Sequence, residues 1–350
     1  MKTKLNILGI LALTWSANTF AQQDKHLTMW NENASSINPA AVASMDEDVR
    51  FLTNFRMQWL PLNGNALRTN TFSFDAKLMK VKKTGSHLGV GLNFTNDQTG
   101  DIRYTSNVIS VPIAYNIGLD RNSFFSIGIS PGFVSRSLGT GNQTWDNQWN
   151  GSTFDQTISS GEIIQGTASA FDIGAGLQYK YQSDNQSHLK IGFSVNHLTS
   201  PSLSFTSTGD KLYKNINIYA SGTYFQPDRR FGISPSILVS LMGPNYNVLL
   251  GSNFDHELFE SSRRTDYVQR SFISYGFYLR WKDAFIATIA YKFYGFKVGV
   301  SYDINVSKLS SDTRAQGGFE LYLKYSLMVD KSSYIHDRRL FRWRGGRGRL

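Results

Sequence analysis

Between Val49 and Met328 nearly every segment repeats one feature, an alternation of apolar and polar side chains, and almost none shows the 3.6-residue period of a helix. Alternation with period two places the two sets of side chains on opposite faces of an extended strand, so each strand separates two different environments. In the first run Val49, Phe51, Phe55, Met57 and Trp59 share one face, while Arg50, Asn54, Arg56 and Gln58 share the other. The next sets Phe72, Phe74, Ala76 and Leu78 against Thr71, Ser73, Asp75 and Lys77. The last clear one sets Phe319, Leu321, Leu323, Tyr325 and Leu327 against Glu320, Tyr322, Lys324 and Ser326. About fourteen such runs of roughly ten residues are present, the length a tilted strand needs to cross a hydrocarbon layer. Strands of soluble sheets are more often about five or six residues long. The pattern predicts an all-β fold, a transmembrane antiparallel β-barrel of about 14 strands.

Composition agrees with this reading and closes off others. A mean hydropathy of −0.29 suits a barrel, because only every second residue of a membrane strand meets lipid. The chain of 350 residues has no cysteine, which excludes disulfides, thiolate nucleophiles and cysteine-ligated metals. The polar face is rich in Gly, Ser, Asn, Lys and Arg, as expected of a solvated or filled lumen. A ring of about fourteen strands encloses more room than its own side chains fill, so water, a loop, residues 22–48 or a partner peptide is expected inside.

Both ends of the chain differ from the body. Lys2 and Lys4, an apolar run from Leu5 to Trp15 and the small-x-small triplet Thr19-Phe20-Ala21 read as a removed signal peptide, residues 1–21. Residues 22–48 then form an N-terminal periplasmic or plug segment, 49–328 the barrel and 329–350 a basic periplasmic tail. From residue 330 to 350 seven basic residues face two acidic ones, a net of +5 out of a formal +10 for the chain. An even strand count puts both ends of the barrel on one side of an outer membrane. Loop lengths favour the periplasm for that side, because residues 136–166, 199–214 and 307–317 are long connections at the other end. Residues 243–245 and 256–266 depart from that rule.

Constellations that carry chemistry are scarce. Gly128-Ile129-Ser130-Pro131-Gly132 matches the G-x-S-x-G pattern of hydrolases, but it lies in an alternating run with no helix pattern after it, so a strand kinked by Pro and Gly is expected. No two of the six histidines fall at zinc-site spacing. No P-loop or dinucleotide fingerprint is present. The expectation is therefore no catalytic, cofactor-binding or metal-ligating residue. The tail segment around Arg338, Arg339, Arg342, Trp343 and Arg344 looks like the segments that bind single-stranded nucleic acid, yet an exported chain meets little nucleic acid. An acidic protein surface, peptidoglycan or anionic lipid suits it better.

Beyond these readings, Gln23-Asp24 followed by Ile37-Asn38-Pro39-Ala40 resembles the mature N-terminus of the PorP/SprF family, outer-membrane proteins of the Bacteroidota type IX secretion and gliding machinery. Further matches follow in order: Arg56-Met57-Gln58-Trp59, Phe72-Ser73-Phe74-Asp75, Gly89-Val90-Gly91 leading to Asn96-Asp97 and Gly100, and Tyr302-Asp303-Ile304-Asn305-Val306 with Gly318-Phe319-Glu320. Ala43 departs from the pattern where the family often has Gly, and Ala66 where a proline is common. The arginine-rich extension is also unusual for the family. The resemblance implies an outer-membrane barrel that helps to export, or retains at the surface, a large adhesin, and that contacts the periplasmic ring of the machinery.

Candidate partner-binding residues are Asn38 and Pro39, which suit an anchor for the N-terminal segment, and Trp145 and Trp149 in the long external connection. Arg338, Arg339, Arg342, Trp343 and Arg344 of the tail complete the set. Three functions compete at this point: a non-enzymatic adhesin-binding accessory, a diffusion channel or hydrophobic-ligand transporter, and a barrel hydrolase using Ser130 or another lumen serine.

Overall fold

The computed structural model describes residues 24–59, 66–81, 83–100, 103–139, 144–155, 157–159, 166–183, 187–205, 211–226, 230–259, 271–307 and 310–329. The proposed signal peptide and the arginine-rich tail lie outside them. The described strands are β1 (Val49–Gln58), β2 (Leu67–Leu78), β3 (His87–Thr99), β4 (Tyr104–Ser110), β5 (Ile113–Gly118), β6 (Ser123–Ser137), β7 (Thr167–Gln182) and β8 (His188–Asn196). They continue with β9 (Asn215–Gln226), β10 (Phe231–Met242), β11 (Asn245–Phe259), β12 (Ser271–Arg280), β13 (Ala284–Phe293), β14 (Phe296–Asn305) and β15 (Gln316–Leu327).

All pairings are antiparallel and join sequence neighbours, except that β4 and β5 do not pair with each other but each pairs with β3 and β6, and β1 pairs with β15 from Val49↔Leu327 to Gln58↔Gly318, which closes the ring. β4 and β5 are two halves of one crossing, so the barrel has 14 strands. The interruption has a local cause. Pro112 has no N–H to give to the ladder, and its neighbour Val111 stands opposite a second proline, Pro131 of β6. The ladder is rescued across the gap, where Val111 N–H donates to the Pro131 carbonyl and Gly91 N–H to the Pro112 carbonyl, both at 2.9 Å. Ser130 lies in this continuous strand β6, as the alternation predicts, and not on a strand-to-helix elbow.

Alternation sorts the side chains as expected. Along β13, Phe285, Ile289 and Tyr291 face outward while Ala284, Ile286 and Ala290 are buried inward. Near the mouth where β1 begins, stacked outward rings form a band: Phe231 on Phe254, Phe254 on Tyr275, and Phe296 on Tyr325 at 4.2 Å between centroids. Such a band suits the boundary between hydrocarbon and water. Trp281 sits half exposed just past the end of β12, whereas Trp59 is partly buried and closes β1 in a left-handed conformation with φ 53°.

Residues 24–48 lie inside the ring, where they contact inward side chains of strands all round the barrel. Two short 3-10 turns, Ala34–Ser36 and Pro39–Ala41, shape this inner segment. The lumen is not uniformly polar. Trp30 packs into an apolar recess of Tyr219, Leu238, Leu249, Tyr278, Ala284 and Ile286. Strand alternation hides this recess, because β10 and β11 carry apolar residues on both faces, as in Ile237-Leu238-Val239 and Val248-Leu249-Leu250.

Both ends of the barrel proper, Val49 and Leu327, lie at one mouth, as the even strand count predicts. The inner segment revises the placement of the N-terminal end. Asp24 hydrogen-bonds to His197 and Asn215 toward the other mouth, because the segment runs through the lumen before it reaches β1. We refer below to the mouth that carries residues 138–166 and 197–214 as the long-loop mouth. A charge on the outward face at mid-height must enter hydrocarbon, so Ile289→Arg is expected to destabilise the barrel by about 2–4 kcal/mol. Unfolding in denaturant, followed by heat-modifiable gel migration, measures this, and the volume-conserving Ile289→Leu at the same position should cost less.

Candidate functional site

The inner segment is held by three groups of contacts, and the sequence elements that looked unrelated along the chain meet in them. The first group is ionic and dry. Arg56 and Glu320, both 0 % exposed, are joined by an ion pair of 3.0 Å, and Arg56 also meets Asp303 at 2.6 Å. Arg280 approaches Asp303 at 2.9 Å from the next strand but one. This network takes hold of the inner segment through Thr28. The Thr28 hydroxyl accepts from Arg56 at 2.5 Å and Arg280 at 2.9 Å, and the Glu320 carboxylate accepts the backbone N–H groups of Thr28 at 2.7 Å and Met29 at 3.2 Å. Breaking one partner of such a buried set costs about 3–5 kcal/mol, because the remaining charge is left unpaired.

The second group is a seat made of missing side chains. Asn38 caps the turn Pro39–Ala41: its Oδ1 accepts the Ala40 N–H at 2.9 Å. Its Nδ2 donates to the Leu177 carbonyl of β7 at 2.9 Å and to the Tyr219 hydroxyl at 3.2 Å. The turn lies so close to the wall that a Cβ on Gly128 would fall 2.6 Å from the backbone of Pro39 and Ala40, and one on Gly176 only 2.0 Å from Asn38 Oδ1. Gly89 and Gly91 stand in the same relation to Val42, at 2.7 and 2.8 Å. The first glycine of the apparent hydrolase motif therefore serves as a docking surface. Ala43 leaves the turn at φ 55°, the left-handed region that favours glycine, which is the physical reason a Gly suits this position in the resembling family. The Ala43 N–H donates to Asp75, which also receives Arg50.

The third group matches acids of the segment to cations of the wall. Glu32 pairs with both Lys297 and Lys324. Burial alone would raise the Glu32 carboxyl, but the two ammonium groups outweigh it and hold it well below the usual carboxylate range. Asp46 pairs with Lys180 at 2.8 Å, and Asp48 with Lys80. Toward the long-loop mouth His197 is clasped by Asp172 at 2.6 Å and by Asp24 at 3.3 Å. Burial would lower the His197 pKa, but hydrogen bonds and charges from the two carboxylates push it up to about 9. With a carboxylate on each ring nitrogen it is a charged clasp and has no free nitrogen to act as a base.

Among the predicted partner residues, Asn38 and Pro39 are buried in the glycine seat and are not presented to solvent. Trp145 and Trp149 flank a 3-10 turn, Asp146–Gln148, in the long-loop mouth, and Trp149 is half exposed with its ring 5.0 Å from Phe154. Arg338, Arg339, Arg342, Trp343 and Arg344 lie outside the described residues. Thr28 and Trp30 were not legible as anchors, although Met29-Trp30 is an apolar pair within a polar stretch. No group of three His, Asp or Glu side chains among the described residues is placed to hold a metal ion. The arrangement holds a polypeptide segment of the same chain.

Two outcomes follow from this geometry. Replacing Gly176 with Val should expel Asn38 from its seat, and the natural absence of cysteine makes the effect readable. A cysteine placed at Ala40 should resist a water-soluble maleimide in the parent barrel and react at least about tenfold faster in the Gly176→Val background. The clasp should depend on pH in a defined sense. The folded His197 pKa lies above the ordinary 6.5, so its contribution is complete below that value and is lost as the pH rises through about 9. A nitroxide on a cysteine replacing Lys25 should gain mobility over that range, and Asp172→Asn should move the midpoint down.

Comparison with known proteins places the chain in a family. No curated protein matches the chain. Among solved structures it is similar to the toluene transporter TbuX of Ralstonia pickettii, at 11% identity and a TM-score of 0.48 over 84% of this chain and 93% of that one. It is also similar to a FadL homologue of Pseudomonas aeruginosa, at 12% identity and a TM-score of 0.44 over 84% and 93% of the two chains. Likeness at that level transfers no residue role. Residues 19–325, in contrast, match the family described as type IX secretion system membrane protein PorP/SprF, a span that contains the ionic lock, the glycine seat and every described strand up to β15. The chain belongs to the PorP/SprF family of type IX secretion membrane proteins, and it is an outer-membrane β-barrel.

Proposed function

We propose that this barrel is a non-enzymatic accessory of the type IX system that binds a large exported protein of adhesin type and helps to export it or retain it at the cell surface. One observation carries the reading. The lumen is engaged by the protein's own polypeptide through dry ion pairs and a close-fitting seat, which suits a barrel that handles polypeptide and opposes free diffusion of solutes. In this reading the long-loop mouth, with the exposed Trp149, faces outside. The strand ends at Val49 and Leu327 and the basic residues that follow face the periplasm, within reach of the ring of the machinery.

A solute channel is the competing function, and the two separate cleanly in experiment. Gentle purification of the tagged barrel from its native outer membrane should bring with it one large surface protein in near-equal amount. Deleting the gene should remove that protein, and few others, from the cell surface. The wild-type barrel should be silent in planar bilayers. A lone barrel with steady conductance would overturn the proposal in favour of a channel, and loss of every exported protein on deletion would make it a general component of the machinery.

A further inference from the structure

The inner segment does not use all of the lumen wall. On the long-loop side of Ile37 and Pro39 it leaves a cavity of about 140 Å³ between itself and the inward faces of the surrounding strands. Leu27 and Ile37 of the segment, with Leu238 and Met242 of β10, give this space an aliphatic floor. Ser130, Asn215, Asn217, Ser240 and Asn247 line its wall. Four charged groups border it: Asp24, Asp172 and His197 are engaged with one another, and Lys25 lies in the electrostatic reach of Asp24 at the same end. The rest of the polar lining is uncharged amides, hydroxyls and the His26 imidazole, whose two ring nitrogens have no hydrogen-bond partner among the described residues. Asn215 carries a further sign. Its residue is 8% exposed and its Nδ2 donates to Asp24, but its Oδ1 is buried in the cavity wall with no hydrogen-bond partner. A buried amide oxygen left unpaired is costly, and it marks a place where a donor is awaited.

What such a wall binds is visible in the part already occupied. The Ile37 carbonyl of the inner segment accepts from Ser194 at 2.8 Å and from Asn196 at 2.9 Å, and the Ser35 carbonyl accepts from Asn93 at 3.0 Å. Inward serines and asparagines of this barrel therefore read the main chain of a polypeptide held in the lumen. The wall of the cavity continues with the same residue types, among which the Ser240 hydroxyl donates to Asn217 Oδ1 at 2.6 Å. Phe133 and Tyr246, the large aromatic residues at its border, stand on the outward parity of their strands, so among the described residues no Phe, Tyr or Trp turns a ring face into the cavity for a sugar to stack on. We infer that this cavity is a second polypeptide site, in which an uncharged extended segment of an exported protein lies beside the inner segment with its main chain on Asn215, Asn217 and Asn247. The inference rests on the proposed function and names the place where the partner is held.

The test uses the full-length protein in its native outer membrane. A photoreactive benzoyl-phenylalanine at Asn247, and in a second strain at Ser240, is irradiated in cells, and the adduct is digested and sequenced. The expected product joins the chosen position to a peptide of an exported surface protein. The double variant Ser130→Val/Asn247→Leu, neither of whose side chains hydrogen-bonds to the described inner segment, should keep heat-modifiable migration and lose about tenfold of that partner in co-purification. Adducts only to carbohydrate or lipid, only to this chain's own loops, or none at all would overturn the inference. If the same partner co-purifies undiminished with the double variant, the site is wrong while the proposed function stands. If no partner accompanies even the parent barrel, the proposed function itself fails.

Discussion

Hydrocarbon offers no hydrogen bonds, so every backbone N–H and C=O of a membrane-crossing sheet has to find a partner within the sheet, and the sheet has to close. Here closure is made by β1 against β15 over ten consecutive residue pairs. Closure creates a second problem. Fourteen strands surround more volume than their inward side chains fill, and an interior of charged and amide groups needs partners of its own. The inner segment answers that need with the same polar groups that the wall presents, and the structure of the lumen follows from this matching.

The matching differs along the barrel. In the dry part, Arg56, Arg280, Asp303 and Glu320 neutralise one another and hold Thr28, so register between the segment and the closing strands is set by groups whose separation is costly. Beside Asn38 the fit depends on absence of side chains: Gly128 and Gly176 let a capped turn touch strand backbone. Near the mouth where β1 begins, lysines meet Glu32, Asp46 and Asp48, contacts that solvent weakens more readily. The segment is thus fixed most firmly where burial is deepest.

A barrel organised in this way is suited to polypeptide. Its wall recognises carbonyl groups through serine and asparagine side chains, its glycines accept close backbone approach, and its apolar recess takes one large side chain, Trp30. In the described structure these elements hold a piece of the protein's own chain, and in the proposed function the same elements receive exported polypeptide. Membership of a secretion family gives this chemistry a natural context, since the molecules such a system handles are polypeptides.

The strands, their inward and outward faces and the closed architecture were legible from the sequence, because period two is a local property written into each run of residues. Phe72 and Phe74 opposite Ser73 and Asp75 need no knowledge of the rest of the chain. The in-register resemblance elements were legible as well, but not their meaning. That Asn38 meets Gly176, that Arg56 meets Asp303, and that Ser130 lies in a strand wall beside a cavity depend on contacts between residues far apart in the chain. The recess for Trp30 was hidden for a related reason: an inward leucine in an all-apolar run looks like any lipid-facing leucine until closure decides which way it points. The sequence by itself determined that this chain crosses a membrane as strands, since each strand's two solvents are encoded locally. Only the tertiary structure decided what fills the barrel, since that depends on which side chains closure brings face to face.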